Sequence, residues 1–380
     1  VPFTFEGRPA AAMRVWLAAV AIYIIAIAGR TSFGVVGVAA APTYPIAIGA
    51  RVLVGLGDAT AFVSVIRLIP AWFPTRRIPL MTQLTAILGQ LGPIVSAVPF
   101  LAILGRFGWV AAFASLAATG ILTALLGYLA IVDTPDEHQQ SVHHDRVGAI
   151  LSSVTRHPGT WLGFFTHFAL LFSPNVFLIL WGMPLLTVGQ GYSAATAAAL
   201  ISVNSIAGIA AGPAVAAMLV RHPWQRALVV LGIIVALIIA WSAVLAVDGQ
   251  RPVWLWTLLV IVLAIGGAGS SIGFDFARTS LPPHHYGTAS GLVNMGGFIS
   301  SITAIMLVGV ILDALAPDKN FSATDFRIAL LVMVPIMAIG VTGILISRHK
   351  LRARLATEGI LPLSVPQIVR RVMRSWREGS

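Results

Sequence analysis

The feature that most constrains this chain is a series of apolar runs, each long enough to cross a bilayer. A helix needs roughly 20 such residues to span the ~30 Å hydrocarbon core. Runs of this kind cover about residues 15–38, 44–73, 80–104 and 110–131, and then 161–187, 195–220, 226–247, 253–276, 288–313 and 326–347. They are continuous and do not alternate, which excludes a β-barrel. Only 10% of the 380 residues are charged and 58% are hydrophobic, whereas about a quarter of a soluble domain is charged. The sequence therefore predicts an all-α polytopic membrane protein. It contains no cysteine, so disulfide and thiol chemistry are excluded. The opening VPFTFEGRPAAAMR is too polar for a cleavable signal peptide.

Charge sets the expected topology. The net charge of +11 is gathered in short connections and in the C-terminal tail, a positive-inside pattern rather than a nucleic-acid surface. Arg8, Arg14, Arg76, Arg77, Arg221, Arg226 and Arg278 mark cytoplasmic sides, and GRFGW at 105–109 reads as a short outer turn. Both termini are expected in the cytoplasm of a cell whose inner membrane carries the protein. The expected organisation is an N-terminal bundle (1–132), a polar cytoplasmic linker (133–160), a C-terminal bundle (161–347) and a basic tail (348–380). In the linker, Val147, Ile150, Leu151 and Val154 form an apolar helical stripe suited to the membrane surface. In the tail, Ile368, Val369, Val372, Met373 and Trp376 share one side among Arg370, Arg371, Arg374 and Arg377, an interfacial helix for an anionic inner leaflet. His138, His143 and His144 lack a second ligand set, so no metal is expected.

Ionisable and polar residues inside the apolar runs are the candidate functional groups, because a charge at membrane depth must face protein or a watery cavity. Arg51 and Asp58 are seven apart, which places them on one helical face about 10 Å apart along the axis. Gly55 and Gly57 between them permit close helix approach. Arg51 and Asp58 are either a functional pair or a structural clamp. Arg30 can pair with Asp58 or bind an anionic substrate. Gln90, His167, Asn175, Asn204 and Asn294 are candidate substrate contacts, with helix-to-helix hydrogen bonding as the alternative role. Gly92 and Pro93 form a candidate hinge, since proline frees a backbone carbonyl. Asp275 and Arg278, three apart near a helix end, read as a gate or an end-anchoring pair. No phosphate loop, nucleophile constellation or metal cluster accompanies them, so neither enzyme activity nor a cofactor is expected.

The stretches GRTSFGV, RVLVGLGDA, AWFP and TASGLVNMGGF resemble the major facilitator superfamily of secondary transporters, and among them actinobacterial members of unassigned substrate. Arg51, Gly55 and Gly57 match the family's R-x-x-x-G-x-G fourth-helix motif, for which the resemblance implies a part in proton coupling; arginine does not itself deprotonate, so Arg51 would tune a nearby acid, with Asp58 the proton-carrying candidate. Gly92–Pro93 match part of an exporter motif in the fifth helix. There Ser96 and Ala97 replace a glycine pair. The resemblance implies two six-helix halves, yet the first half shows four spans and lacks the charged loop between the second and third helices. A hairpin on the order of 60–75 residues is expected to be missing around Ala40–Pro42. In the second half, Val220 stands where the equivalent loop would carry an acid.

These features together predict a transporter of small molecules working by alternating access, proton-coupled and leaning to export, and monomeric as the family usually is. A small-anion importer and a non-transporting membrane scaffold or receptor on a degenerate transporter fold are the alternatives.

Overall fold

The computed structural model describes residues 9–32, 60–89, 91–92, 100–132, 146–221, 226–246 and 249–359. The chain divides into two compact units, Val1–His144 and Asp145–Ser380. Every described regular element is helical, as the bilayer requires of a chain whose backbone must satisfy its own hydrogen bonds. Eight helices among the described residues are long and apolar enough to cross a membrane.

In the first unit these elements are α1 (Pro9–Ser32), α2 (Thr60–Trp72), α3 (Ile78–Gly89) and α4 (Leu101–Ala130). Trp16 on α1 donates its indole N–H to Thr85 Oγ1 on α3 at 3.0 Å, and Trp72 donates to the carbonyl of Val132 at 2.8 Å. Glycine allows α1 its closest neighbours. A Cβ on Gly92 would lie 2.6 Å from Ile27 Cβ and 2.8 Å from Ile24 O. The expected outer turn at 105–109 is shorter than the sequence implied. Helical geometry is interrupted inside α4 at Gly108 (φ 77°, ψ −175°), a backbone region that favours glycine.

The second unit opens with α5 (Val147–Arg156), the linker helix. Its stripe is divided: Val154 is fully buried, whereas Val147 and Leu151 are exposed. Ser153 Oγ meets His285 Nδ1 at 3.2 Å and Trp161 donates to Thr155 O at 2.6 Å, so the second half of α5 is docked on the bundle. Six spans follow. They are α6 (Pro158–Gly189), α7 (Ala194–Arg221), α8 (Arg226–Leu245), α9 (Val253–Ser270) continued after a step by α10 (Ile272–Ser280), α11 (Tyr286–Leu315), and α12 (Ala323–Leu330) continued by α13 (Met333–Thr357). The last helix runs ten residues past the expected end at 347, carrying its basic turns with it.

Local chemistry explains the ends and breaks. His157 caps α6, accepting from Gly159 N at 3.0 Å, with Pro158 at the first helical position, where a missing N–H costs nothing. Ser322 and Asp325 form a reciprocal capping box on α12. In mid-span α6 loses α-regularity: Pro174 is followed by π-helical turns over Val176–Trp181, and Pro184 by a second set over Leu185–Gly189. Proline cannot donate to the preceding turn, and a widened turn accommodates the freed carbonyls.

Helix α6 is the axis of this unit. Leu170, Phe172, Val176 and Phe177 on it are almost fully buried, against α9, α10, α11 and α13. Lipid tails are as apolar as leucine, so close packing and hydrogen bonds hold such helices together rather than water exclusion. Gly163 on α6 and Gly273 on α10 meet backbone to backbone, and a Cβ on Gly273 would lie 2.6 Å from Gly163 O. Trp241 on α8 donates to Ser173 Oγ at 2.7 Å, and Trp181 to Ile305 O on α11 at 2.9 Å.

Candidate functional site

Small residues on α11 make room for polar groups on α6. Gly296 and Gly297, with Ser300 and Ser301 four residues on, face Phe164, His167, Phe168 and Asn175. Ser300 Oγ donates to Phe168 O at 2.9 Å, and Asn175 Nδ2 donates to Ser301 Oγ at 3.0 Å.

His167 is buried, 5% exposed. Its Nδ1 lies 3.1 Å from Ser270 O on α9. A carbonyl only accepts, so Nδ1 carries the proton and Nε2 keeps the lone pair. Nε2 is buried without a hydrogen-bond partner. It faces Gly297, where a Cβ would come within 2.8 Å of it. Phe274 packs edge-on against the ring with centroids 4.9 Å apart. The imidazole thus joins α6 to three other helices and has one basic nitrogen not spent on protein.

The other candidates are distributed differently. Asn204 on α7 donates Nδ2 to Val260 O on α9 at 2.7 Å, which ties these two helices together. Asn294 is half-buried on α11. At one end of the unit Asp275 binds two arginines. Arg278 donates to Asp275 Oδ1 through Nε at 3.0 Å and also through Nη2, and Arg226 Nη1 reaches Asp275 Oδ2 at 3.0 Å. Arg226 further contacts Thr279 Oγ1 at 3.1 Å and lies over the Phe276 ring, 5.1 Å from its centroid. One carboxylate in the first turn of α10 therefore fastens that helix to the start of α8. The pair read from sequence is in fact a three-membered cluster.

Arg51, Asp58, Gln90 and Pro93 lie outside the described residues. Arg30 falls in the last turn of α1, its backbone alone described, and Gly92 packs on α1 as given above. Sequence reasoning missed Ser270, Ser300 and Ser301 as polar partners, and Arg226 as the second ligand of Asp275. The small residues at 296/300 and 297/301 were a readable signal, because that four-residue spacing marks helix contact faces. Arg226 is 49 residues from Asp275, and no local pattern connects them. Among the described residues no group of acids and histidines is arranged to hold a metal ion.

A family model described as Major Facilitator Superfamily matches residues 12–305. The chain belongs to the Major Facilitator Superfamily. Solved members share its fold. A bacterial homologue of the iron transporter ferroportin, in an outward-facing state, superposes with a TM-score of 0.61 at 12% identity, covering 89% of this chain and 84% of its own. A bacterial homolog of the human lysosomal transporter Spinster, inward-facing and unoccupied, gives 0.56 at 15%, covering 90% and 98%. The E. coli fucose:proton symporter gives 0.53 at 14%, covering 87% and 84%. No curated protein sequence matches significantly. This facilitator is thus a multi-pass membrane protein with the fold of a secondary transporter, from a family of transporters rather than enzymes.

Proposed function

We propose that this facilitator moves a small molecule across the inner membrane by alternating access, coupled to protons and directed outward. The observation that carries the reading is the break in α6. A transporter binding site near the midplane is built where a helix is discontinuous. Here the π turns begin at Val176, directly after Asn175 and two turns past His167. His167, Asn175 and Asn294 supply polar atoms on α6 and α11, and Asn204 offers a side-chain carbonyl. Arg30 and Gln90 are their counterparts in the first half.

Asp58 carries the proton, with Arg51 setting its affinity. Gly92–Pro93 act as the hinge, whose exporter-like context gives the direction. The Asp275–Arg278–Arg226 cluster closes the cytoplasmic end, placed there by the positive-inside rule. The two bundles, their linker at 133–160 and the basic tail after 347 act as a monomer, the tail held to an anionic inner leaflet.

The test is proton flux in proteoliposomes loaded with a pH-sensitive dye, with sugars, amino acids, organic anions and cationic drugs added in turn. A solute that moves protons through the native protein, and no longer does so in Asp58→Asn, supports the reading. Undiminished proton-coupled flux in Asp58→Asn removes Asp58 from the mechanism. Transport indifferent to the pH gradient removes proton coupling.

A further inference from the structure

The buried basic nitrogen of His167 has a use beyond holding a solute. Nδ1 is committed to Ser270 O at 3.1 Å, so a proton arriving at the ring binds Nε2. That nitrogen is buried without a partner and faces Gly297 of α11. Once protonated it is a donor with no acceptor, on a ring that has become a cation. Such a group is costly in a closed interior. No charge stands by to offset it. Against the ring lie Ser270 from α9, Gly273 and Phe274 from α10, and Gly297 from α11. Helix α13 meets α6 at Phe165, Phe168 and Ala169 instead. The described acids of these helices and their ends are bound elsewhere: Asp275 by Arg226 and Arg278, Asp313 by Lys319, and Glu358 by Arg354.

The seam between α6 and α11 is fastened unevenly. The start of α6 lies at the Asp275 end of the unit, where Gly159 adjoins Ser280 and Gly163 meets Gly273. Among the described residues, side-chain hydrogen bonds across the seam begin at His167 and run away from that end. They join Ser300 Oγ to Phe168 O, Asn175 Nδ2 to Ser301 Oγ and Trp181 Nε1 to Ile305 O. Toward the Asp275 end the seam is held by contact alone: a Cβ on Gly296 would lie 2.6 Å from Phe164 O, and one on Gly163 would lie 2.9 Å from Val293 Cγ2. The connection leading into α11 is tied to the linker helix α5, through Ser153 and His285. An acceptor for a new N–H at Nε2 therefore has one easy approach. Water can enter along the unfastened half and reach the ring past Gly297, which puts no side chain in the way.

We propose that Nε2 of His167 is a second proton-binding site, separate from Asp58, and that a proton there parts the Gly163–Val293 half of the α6–α11 seam and admits water. The proton adds to the lone pair of Nε2, Nδ1 keeps its own on Ser270 O, and water accepts from the new N–H. The hydrogen bonds from Ser300 outward act as the hinge and stay closed.

The chain contains no cysteine, so one introduced thiol reports its own position. Val293 is fully buried on the seam, and Met295, two residues on, is 54% exposed. The test compares the rates at which dithiodipyridine, a reagent that still reacts with thiols in acid, modifies Val293→Cys and Met295→Cys in the purified full chain between about pH 8 and about pH 5. The expected ratio of buried to exposed rate rises several-fold on acidification and stays level when His167→Gln is added. Ala304→Cys, buried farther along α11, stays protected throughout. A level ratio in the His167 protein overturns the proposal, and so does a rise that survives in His167→Gln. His167→Asn takes its place if the glutamine variant does not fold. A parallel rise at Ala304→Cys also overturns it, since acid is then loosening the whole bundle. None of these readouts uses flux, so their failure leaves the transport reading standing.

Discussion

The contact between Gly163 and Gly273 offers the sharpest test of how α6 is held. A Cβ at Gly273 would stand 2.6 Å from Gly163 O and 3.3 Å from both Cβ and N of His167. Ordinary contact begins near 3.4 Å, so Gly273→Ala requires α10 to retreat by about 0.8 Å, the difference of those distances. The obstruction is a helix carbonyl, which cannot rotate aside as a side-chain end would. Overpacking of this kind costs about 1–3 kcal/mol. Gly267 on α9 provides the control, since a Cβ there meets nothing within 4 Å. Gly267→Ala should stabilise by up to about 1 kcal/mol through helix propensity. The two alanine variants should therefore differ by about 1–4 kcal/mol, several degrees in unfolding midpoint at the upper end for a unit of this size. Thermal unfolding in detergent, followed by tryptophan fluorescence, reads the difference directly. Indistinguishable midpoints would refute the argument that backbone contact sets the spacing of α6 and α10. The same variant should disturb the link from His167 to Ser270, and so reduce transport beyond its effect on stability.

Other predictions concern the remaining polar links. Asp275→Asn leaves two arginines facing one amide. Its side chain is 14% exposed and its partners 22% and 16%, between the regimes of exposed and buried ion pairs, so the expected loss is about 1–3 kcal/mol, measurable as a lowered unfolding midpoint. Asn204→Ala removes a helix-to-helix hydrogen bond, and such bonds average about 0.6 kcal/mol in membranes; a small midpoint change with intact transport would assign Asn204 to packing alone. His157 accepts from Gly159 N through Nδ1, which requires a neutral ring. Burial first, and then the charge of Arg354, hold its pKa below the ordinary 6.5, against a weaker pull upward from Glu358. Its contribution to stability is therefore complete above the unfolded-state value and is lost as pH falls through the folded one. His157→Asn, which still caps, should flatten the fall in midpoint between about pH 7 and about pH 5.

Much of this architecture was legible because membrane depth imposes it on sequence. The six spans of the second unit follow from length and hydropathy alone, since the bilayer leaves a continuous apolar run little choice but a helix. The ends were harder. Helix α13 continues to Thr357 through residues whose charge marks them as leaving the membrane. A helix needs only its own hydrogen bonds to extend into water, so charge locates the interface and not the last turn. The turn expected over 105–109 shrank to Gly108, because one residue with positive φ suffices to break helical geometry. The π turns after Pro174 and Pro184 were invisible for a related reason: proline announces that a carbonyl is freed, but the neighbouring helices decide whether the chain kinks, unwinds or widens.

The site shows the same division between what is local and what is not. His167 was identifiable as an intramembrane titratable group by its surroundings in the chain, and Asp275 and Arg278 by their three-residue spacing. Their decisive partners, Ser270 and Arg226, lie 103 and 49 residues away, where only the fold joins them. The glycines connect the two levels. Gly163, Gly273 and Gly297 look interchangeable with Gly208, Gly232 or Gly267 along the sequence, yet the first three face a carbonyl or an imidazole at contact distance and the last three face nothing within 4 Å. Close approach at Gly297 is what allows the His167 ring to sit between α6 and α11 with its free nitrogen turned to the α11 backbone. A bulkier residue there would have to expel the ring from that place. Any role for His167 in moving protons or substrate is therefore conditional on a glycine that carries no chemistry of its own, and Gly297→Ala should impair transport as severely as replacing the histidine itself.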